Sequence, residues 1–338
     1  MQIHVTDPSA VGEARRKIVA FAEEIGLDES RLGAVALATT EMASNLVKHV
    51  GQGYLLAHRI SDRDGAGMRI ISVDRGPGIA DLARALTDGH SSAGSMGSGL
   101  GSIKRLANTF EVYSMPGSGV IIGIEFWRSQ NSRRAASPIE LGVVAEPLLG
   151  ETVSGDGWNV VSSEGEITAM LVDGLGHGVV AAEAAQEAER ILSAVKDAPL
   201  SQIISDAHSA LRKTRGAAVA LARIDVNRGL LTFAGVGNIS AVLLTPSGSR
   251  GLTSHNGTVG QNVARVQEFT YPWSADSILI LHSDGLATRW DLGRYPGLMA
   301  KDTSLIAALL HRDFYRGRDD VTILVARSRR RETDCHAP

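Results

Sequence analysis

The sequence has 338 residues and a mass of 35.7 kDa, which suggests about two domains. Hydrophobic residues make up 43% of it and charged residues 21%, a globular composition that excludes a disordered chain. The formal net charge of −3 provides no basic excess for binding nucleic acid. No apolar run approaches the roughly 20 residues that cross a bilayer, and the N-terminus does not resemble a signal peptide. We therefore expect no contact with a membrane. A single cysteine, Cys335, excludes an internal disulfide, and we expect a cytoplasmic protein.

The first half predicts helices on one face of a mixed or antiparallel sheet. A short strand, Gln2–Val5, precedes Asp7-Pro8, a pair typical of a helix N-cap followed by the first helical residue. Apolar residues at helical spacing continue to Gly26, where we expect this helix to end. A second helix is predicted over about residues 29–49, followed by strands near 54–60 and 68–73, a helix near 103–108, and strands near 110–114 and 120–127.

The second half predicts two packed sheets flanked by two long helices, over residues 179–196 and 200–214. The expected strands are 142–146, 158–163, 167–173, 217–225, 229–235, 240–245, 277–282 and 321–327. A polar stretch that ends in proline separates the halves and is typical of a linker. We therefore expect domains at 1–128 and 139–329, a linker at 129–138 and a disordered tail at 330–338.

Three polar motifs of the first half each have an ordinary interpretation when taken singly. Glu41, Asn45 and His49 share one face of the second predicted helix, as a solvated helix face would. The run Asp-Arg-Gly-Pro-Gly-Ile at 74–79 follows an apolar strand and is compatible with a plain turn. The run Gly-Ser-Gly-Leu-Gly at 97–101 opens a helix, where backbone N–H groups can bind phosphate, but it fits neither the Rossmann nor the Walker pattern.

In this order the three motifs resemble the GHKL ATPase/kinase superfamily, over about residues 1–127. The resemblance implies a Bergerat-type α/β sandwich that binds ATP and Mg²⁺. Within it, Asn45 would bind Mg²⁺ and Asp74 would bind the adenine amine. The resemblance assigns the adenine wall to Gly76 and Gly78, and the phosphates to Gly97, Gly99, Leu100 and Gly101.

The segment 88–100, with Lys104-Arg105-Leu106 after it, resembles the serine kinases of bacterial partner-switching modules, particularly the RsbT type. This resemblance implies transfer of a phosphoryl group from ATP to a serine or threonine of a STAS-domain antagonist protein. Glu41 then suits the general base, because it lies one helical turn from the expected Mg²⁺ ligand.

Aspartates stand near strand ends at four places in the second half: Asp156, Asp173, Asp284 and the pair Asp319-Asp320. A single Asp-Gly is usually a turn. However, strands that converge in a sheet bring their end residues together, and clustered carboxylates repel one another unless cations neutralise them. An all-oxygen set points to a hard ion such as Mg²⁺ or Mn²⁺. We expect His177 and His282 to be structural or peripheral.

The order Gly-Asp, Asp-Gly-x-Gly-x-Gly, Ser-Asp-Gly and Asp-Asp-x-Thr resembles the metal-dependent serine/threonine phosphatase (PPM) family, in its short SpoIIE-like and RsbX-like branch. The resemblance covers residues 139–329 and implies a PPM-type α-β-β-α sandwich with two Mn²⁺ or Mg²⁺ ions and hydrolysis by water. It assigns metal binding to Asp173 and the Gly174 carbonyl, to Asp284 and Asp319, and to Asp156 directly or through water, with Asp320 as the rival to Asp319. The phosphate-binding arginine of larger members has no clear equivalent, since Arg133 and Arg134 lie in the predicted linker.

The two resemblances together predict an α+β chain that carries a kinase and a phosphatase of opposite sense. The leading interpretation is a bifunctional enzyme that sets the phosphorylation level of a STAS-domain antagonist. The alternative is a phosphatase whose ATP-binding domain is a docking switch that sequesters a sigma factor or regulates the phosphatase. A sigma factor or downstream effector as a second partner, and a homodimer, are compatible with both.

Overall fold

A computed structural model of the chain describes residues 1–62, 65–86, 99–128, 137–163 and 165–329. The chain divides into two compact units. The first contains Met1–Ala135 together with Leu292–Arg312, and the second contains Ala136–Asp291 and Asp313–Pro338. Among the described residues, no helix combines the length and the apolar character needed to cross a membrane.

The N-terminal part of the first unit is an antiparallel five-stranded sheet with helices against one face. The strand order is β1-β2-β3-β5-β4, and every neighbouring pair is antiparallel. The elements are β1 (Gln2–Val5), α1 (Pro8–Ile25), α2 (Glu29–His49), β2 (Gly53–Asp62), β3 (Gly65–Val73), α3 (Leu82–Ala85), α4 (Leu100–Leu106), β4 (Thr109–Ser114) and β5 (Val120–Trp127).

Helix α1 begins and ends where the sequence predicts. The Asp7 side chain accepts hydrogen bonds from the backbone N–H groups of Ser9 and Ala10, which are otherwise unsatisfied at a helix start. Gly26 ends the helix with φ of +85°, a conformation that glycine adopts without a steric penalty. The buried stripe of the helix packs with α2 and with alternate sheet residues such as Ile70 and Phe126 in one core.

A third long helix of the second half, α7 (Thr303–Phe314), corrects the prediction of two. Every residue from Thr303 to Arg312 is buried, and these residues belong to the first unit. The helix is nearly apolar on all sides, so the amphipathic pattern by which sequence reasoning recognises helices is missing. Asp302 supports its start by accepting a hydrogen bond from the Ser304 N–H.

Helix α7 lies against the sheet face opposite α1 and α2. On β5, Ile122, Ile124 and Phe126 join the core with α1 and α2, so Gly123 between them points to the other face. A Cβ atom at Gly123 would lie 2.8 Å from Leu305 Cδ1 of α7. The expectation of helices on one face therefore holds for the N-terminal elements only, because a segment far along the chain packs on the second face.

The second unit contains two five-stranded sheets, ordered β15-β10-β9-β8-β7 and β12-β11-β16-β17-β6, with antiparallel neighbours throughout. Its elements are β6 (Ile139–Glu146), β7 (Asp156–Ser163), β8 (Glu166–Gly174), α5 (Val179–Ala194), α6 (Leu200–Ala210), β9 (Ala217–Asp225), β10 (Leu230–Val236), β11 (Ser240–Thr245), β12 (Gly248–Gly251), β13 (Gly257–Thr258), β14 (Asn262–Val263), β15 (Phe269–Pro272), β16 (Ile278–His282) and β17 (Val321–Ser328).

Two cores hold these layers together. One lies between the sheets and includes Leu171 and Phe233 of the first sheet and Leu281 of the second. The other lies between the first sheet and the helices α5 and α6, where small alanine side chains of α5 allow close packing. Two packed sheets with helices alongside are the architecture that the sequence predicted.

The predicted boundaries are only partly visible. Most of the expected linker, residues 129–136, and the expected tail, 330–338, lie outside the described residues. The expected domains are continuous in sequence, whereas the first unit also includes Leu292–Arg312.

Candidate functional site

In the first unit, Asp74 is held at the end of β3 with one carboxylate oxygen already used. Its Oδ1 accepts hydrogen bonds from the backbone N–H groups of Gly76 (2.8 Å) and Val120 (3.1 Å). Among the described residues, none donates to Oδ2. Burial raises the pKa of Asp74, and the two backbone hydrogen bonds and the charge of Arg312 oppose that rise. The arrangement fixes one oxygen and leaves the other to accept a hydrogen bond from a ligand.

The loop that follows Asp74 is packed against the turn between β4 and β5. Gly117 N–H donates to the Pro77 carbonyl at 2.7 Å, and Ile79 N–H donates to Ser114 Oγ at 2.7 Å. Gly78 has φ of +75°, and a Cβ there would lie 2.4 Å from the Met115 carbonyl oxygen. Side chains are therefore excluded at Gly78 by both conformation and space.

Gly76 brings this loop close to the end of α2. A Cβ at Gly76 would lie 2.7 Å from Val50 Cγ2. His49, which is exposed at the end of α2, lowers the pKa of Asp74 through its charge. Asn45 and Glu41 are half-buried, one and two turns earlier along the helix than His49. The structure thus brings the end of the predicted helical face to the predicted adenine loop.

The glycine motif is described in part. Gly97 lies outside the described residues, as do residues 87–98 in general. Gly99 is the N-cap of α4, and Gly101 is buried in the first turn of that helix. The Leu100 side chain packs in the core of the unit, so only its backbone is available to a ligand. Helix α4 contacts α2, the helix that carries Asn45.

In the second unit, Asp156 and Asp173 are directly paired across β7 and β8. Burial raises the pKa of Asp156 well above its ordinary range, and the neighbouring charge of Asp173 adds to the rise. The Ser283 and Thr322 hydroxyls lie near enough to oppose this rise in the pKa of Asp156, but among the described residues no donor has hydrogen-bonding geometry toward the buried Oδ2. An unsatisfied buried carboxylate oxygen is costly unless a ligand compensates it.

The turn after β16 brings Asp284 to the start of β17. Ser283 N–H donates to the Thr322 carbonyl at 3.0 Å, and Ser283 Oγ accepts from Thr322 N–H at 2.9 Å. A Cβ at Gly285 would lie only 2.0 Å from the Asp320 carbonyl oxygen, so the Ser-Asp-Gly turn needs its glycine for this approach. Asn238 donates to Asp284 Oδ2 at 2.9 Å.

These carboxylates act on one another through space. Burial raises the pKa of Asp173 to about 7, and the charges of Asp284, Asp319 and Asp320 contribute to the rise. The pKa of Asp319 is also raised, by burial first and then by Asp284 and Asp320. The unit therefore holds negative charge that is only partly compensated by its own groups.

The structure separates the roles of the neighbouring Asp319 and Asp320, which sequence reasoning left open. Asp320 is buried, and its Oδ1 and Oδ2 accept hydrogen bonds from the backbone N–H groups of Leu148 and Gly155, both at 2.7 Å. Both oxygens thus hold the loop between β6 and β7. Asp319 is half-exposed, and among the described residues the one donor to its carboxylate is Asp320 N–H, which binds Oδ1. This geometry favours Asp319 as the ligand of a cation.

The oxygen atoms of these aspartates suit a hard cation, although they are not already arranged around a metal position. Within the described part of the chain, no three His, Cys, Asp or Glu side chains converge closely enough to hold a metal ion as they stand. The chemistry still fits: the donors are carboxylate and carbonyl oxygens, their pKa values are raised, and Asp156 Oδ2 is unsatisfied. The Gly174 N–H donates to the Gly155 carbonyl, which ties the two loops of this site together.

The two histidines of the site have other contacts. His282 is buried; its Nδ1 pairs with the Ser283 carbonyl, and its Nε2 accepts a hydrogen bond from the Trp290 indole. His177 is exposed and pairs with Glu151. Sequence reasoning did not find Asn238 or Arg312, which contact Asp284 and Asp74 respectively; no motif surrounds either residue, and only the fold brings them there.

Two family matches cover most of the chain. The family described as histidine kinase-like ATPase domain matches residues 5–123. The family described as stage II sporulation protein E (SpoIIE) matches residues 163–329.

Individual relatives agree with these matches. The serine/threonine-protein kinase RsbT of Bacillus subtilis is 34% identical over 106 residues, which are 31% of this chain and 80% of that protein. The phosphoserine phosphatase RsbX of the same organism is 25% identical over 138 residues, which are 40% of this chain and 69% of that protein. A crystal structure of RsbX in complex with magnesium has the same fold over 57% of this chain and 96% of its own, with a TM-score of 0.50 and 22% identity.

The first match includes Asp74 and the loop that follows it, and the second includes Asp173, Asp284, Asp319 and Asp320. Both resemblances inferred from sequence motifs are thereby confirmed. The chain belongs to the RsbT-like family of histidine kinase-like ATPase domains, and its ATPase domain is fused to a SpoIIE-type phosphatase domain with the PPM (PP2C) fold.

Proposed function

We propose that this chain is a bifunctional serine/threonine protein kinase and phosphatase that sets the phosphorylation state of a STAS-domain antagonist protein. The observation that carries the proposal is the presence, in one chain, of a buried aspartate with one oxygen held by backbone N–H groups and of several aspartates whose charges are only partly compensated. The kinase RsbT and the phosphatase RsbX are separate relatives of the two halves.

In the proposed kinase reaction, Asp74 Oδ2 accepts a hydrogen bond from the adenine amine, while Oδ1 stays bound to Gly76 and Val120. Asn45 would hold Mg²⁺, and the backbone of Gly97, Gly99, Leu100 and Gly101 would face the phosphates. The oxygen of the substrate hydroxyl bonds to the γ-phosphorus while Glu41 accepts the hydroxyl proton. The bond between the γ-phosphorus and the oxygen of the β-phosphate breaks, and ADP leaves.

In the proposed phosphatase reaction, Asp173, the Gly174 carbonyl, Asp284 and Asp319 would hold two Mn²⁺ or Mg²⁺ ions, with Asp156 beside them. Bound divalent ions lower the pKa of water and neutralise phosphate charge. Water loses a proton as its oxygen bonds to phosphorus, the bond from phosphorus to the serine oxygen breaks, and a proton is returned to that oxygen. The products are the serine hydroxyl of the partner protein and inorganic phosphate. Asn238 fixes the Asp284 carboxylate through its hydrogen bond to Oδ2, and Asp320 holds the loop before Asp156 through Gly155.

The test combines the purified chain, ATP, Mg²⁺ and a candidate STAS-domain protein, read by intact-mass spectrometry. Asp173→Asn should remove only the phosphatase, and Asp206→Asn at a half-exposed position of α6 is the matched control. We expect phosphate to accumulate on the partner with Asp173→Asn but not with the wild type or with Asp206→Asn.

A Glu41→Gln variant decides between the kinase and the docking module, with Glu23→Gln on the exposed face of α1 as its control. In an Asp173→Asn background, Glu41→Gln should abolish the added mass while ATP still binds. If no variant adds phosphate while the wild type clears phosphorylated partner, the kinase half of the proposal is wrong and the ATP-binding domain is a docking switch.

A further inference from the structure

A buried arginine of α7 lies at the predicted nucleotide loop. Arg312 is only 5% exposed and belongs to the unit that contains Asp74, although the SpoIIE match spans residues 163–329. The unit that carries the ATPase motifs therefore also contains a segment that lies within the SpoIIE match. No feature of either motif set predicts this residue.

Arg312 bridges the two loops that meet at the end of β3. Its Nη1 donates to the Asp74 carbonyl oxygen at 3.1 Å and to the Ser118 carbonyl oxygen at 2.6 Å. The Arg75 guanidinium donates in turn to the Arg312 carbonyl. One guanidinium thus ties the adenine loop to the β4–β5 turn, and the adenine loop binds back to the helix.

The Asp74 carbonyl has little freedom to move away from this contact. A Cβ at Gly119, whose φ is +78°, would lie 2.2 Å from the Asp74 carbonyl oxygen. A buried carbonyl that loses its donor is costly, so the loop would have to shift or admit water if Arg312 were removed. Any shift of the Asp74 backbone also redirects its side chain, because Oδ1 is bound to Val120 N–H and Gly76 N–H.

The rest of the segment is fastened to the same sheet. Tyr54 Oη on β2 lies 3.0 Å from His311 Nδ1, and Arg69 Nη2 on β3 lies 3.5 Å from Asp302 Oδ2. Leu305 fills the space above Gly123 on β5. Contacts spread over three strands make the position of Arg312 a property of the whole segment rather than of one flexible side chain.

We infer that Arg312 is a positioning residue for nucleotide recognition, which orients Asp74 toward the base and so supports selection of adenine over guanine nucleotides. The inference rests on the proposed nucleotide role of Asp74. Adenine offers an amine where guanine offers a carbonyl oxygen, so a well-oriented carboxylate favours the first and repels the second. Arg312 touches neither the nucleotide nor the reacting atoms; it acts through the backbone of Asp74.

The experiment measures the Kd of fluorescent ATP and GTP analogues for the full chain by anisotropy. For Arg312→Met we expect about a 10-fold weaker affinity for the ATP analogue and a smaller ratio between GTP and ATP dissociation constants, since one buried hydrogen-bonded charge is lost. Arg312→Lys retains the charge but not the planar fork and should give an intermediate ratio. Arg16→Met on the exposed face of α1 is the control and should match the wild type.

Circular dichroism at the assay temperature establishes that each variant is folded. If Arg312 had a purely structural role, its replacement would reduce the amount of active protein without changing the ratio of the GTP and ATP dissociation constants. A wild-type ratio in folded Arg312→Met overturns the inference. If Arg312→Met does not fold, Arg312→Lys decides in the same way. The Asp74→Asn variant separates the inference about Arg312 from the proposed function. If this variant binds the ATP analogue as tightly as the wild type, the proposed role of Asp74 in nucleotide binding is wrong.

Discussion

The two candidate sites use carboxylates in opposite ways. In the first unit, one aspartate is surrounded by donors: Asp74 has two backbone N–H groups on one oxygen and Arg312 on its carbonyl. In the second unit, Asp173 faces other acids, which together with burial raise its pKa to about 7. The first site is completed by its own backbone, whereas the negative charges of the second are only partly compensated.

The contrast follows from the ligands that the sites would take. A neutral base needs a fixed hydrogen-bond acceptor, which a fold can orient in advance at little electrostatic cost. A hard cation needs several negative oxygens, and these repel one another until the ion is present. Removing the Asp74 carboxylate should therefore weaken ligand binding at the first site, whereas removing the Asp173 carboxylate should stabilise the second unit while it destroys activity.

The largest effect is expected from Asp173→Asn. Phosphatase activity toward a phosphoserine protein should fall by about 10³-fold or more, since a proposed ligand of the metal ions is lost. In the presence of EDTA the variant should nevertheless unfold at a higher temperature than the wild type, because the repulsion around Asp173 is relieved. Activity assays and thermal denaturation measure both; equal melting temperatures would contradict the proposed repulsion.

Asp74→Asn should have the next largest effect. An amide can still accept from Gly76 and Val120 through its oxygen, but it then presents an N–H₂ group to the adenine amine. We expect the Kd for an ATP analogue to rise by about 10- to 100-fold with the fold retained. Isothermal titration calorimetry measures the change in Kd. The control is Glu41→Gln, which also removes one carboxylate charge from the first unit and should leave the Kd unchanged.

Asp319→Asn and Asp320→Asn should separate ligand from scaffold. The first should weaken Mn²⁺ binding in a calorimetric titration without lowering the melting temperature in EDTA, because it removes one of the charges that repel Asp173. The second should lower the free energy of unfolding by about 1–3 kcal/mol, because an amide oxygen cannot replace both acceptors for Leu148 and Gly155. The reverse pattern would give the metal-binding role to Asp320.

A smaller effect concerns pH and the first unit alone. Burial lowers the pKa of His58 to about 3, assisted by the charges of the N-terminus, Arg69 and His311, and burial lowers the pKa of His311 to about 4. Both pKa values lie below the ordinary 6.5, so the unfolded chain binds more protons between these limits. Stability should fall as pH drops below about 6.5, by up to about 1.4 kcal/mol per pH unit for each histidine.

Urea denaturation at pH 7 and pH 5.5, with the fluorescence of Trp127 as the probe in a variant whose other tryptophans are replaced, measures this dependence. His58→Gln should remove about half of the slope, because one of the two buried histidines no longer titrates. A slope equal to that of the wild type would mean that His58 is protonated in the folded unit or remains exposed to water.

Sequence reasoning succeeded where the signal is local. The Asp7 cap, the Gly26 stop and the Asp-Gly pairs after strands each depend on a few neighbouring residues, and the structure places them as predicted. It could not find α7, whose residues are buried on all sides and therefore show no periodicity.

Roles that depend on three-dimensional contacts were also beyond the sequence. Asp319 and Asp320 are equivalent as neighbours in a string, and only the two backbone N–H groups on Asp320 distinguish them. Arg312 is 238 residues from Asp74, so no spacing rule connects them. Asn238 reaches Asp284 only because the turns after β10 and β16 lie together.

The attachment of Leu292–Arg312 to the first unit has a consequence for biosynthesis. A ribosome releases residues 1–128 well before it makes this segment, and at about 5–20 residues per second the delay is roughly 8–30 s. During that time the sheet face with Gly123 lacks its helix, so the nascent chain presents apolar surface to chaperones. We predict that proteolysis of ribosome-arrested chains cuts the first unit readily when arrest precedes residue 292 and poorly when it follows release of Arg312; equal resistance in both would exclude such a delay.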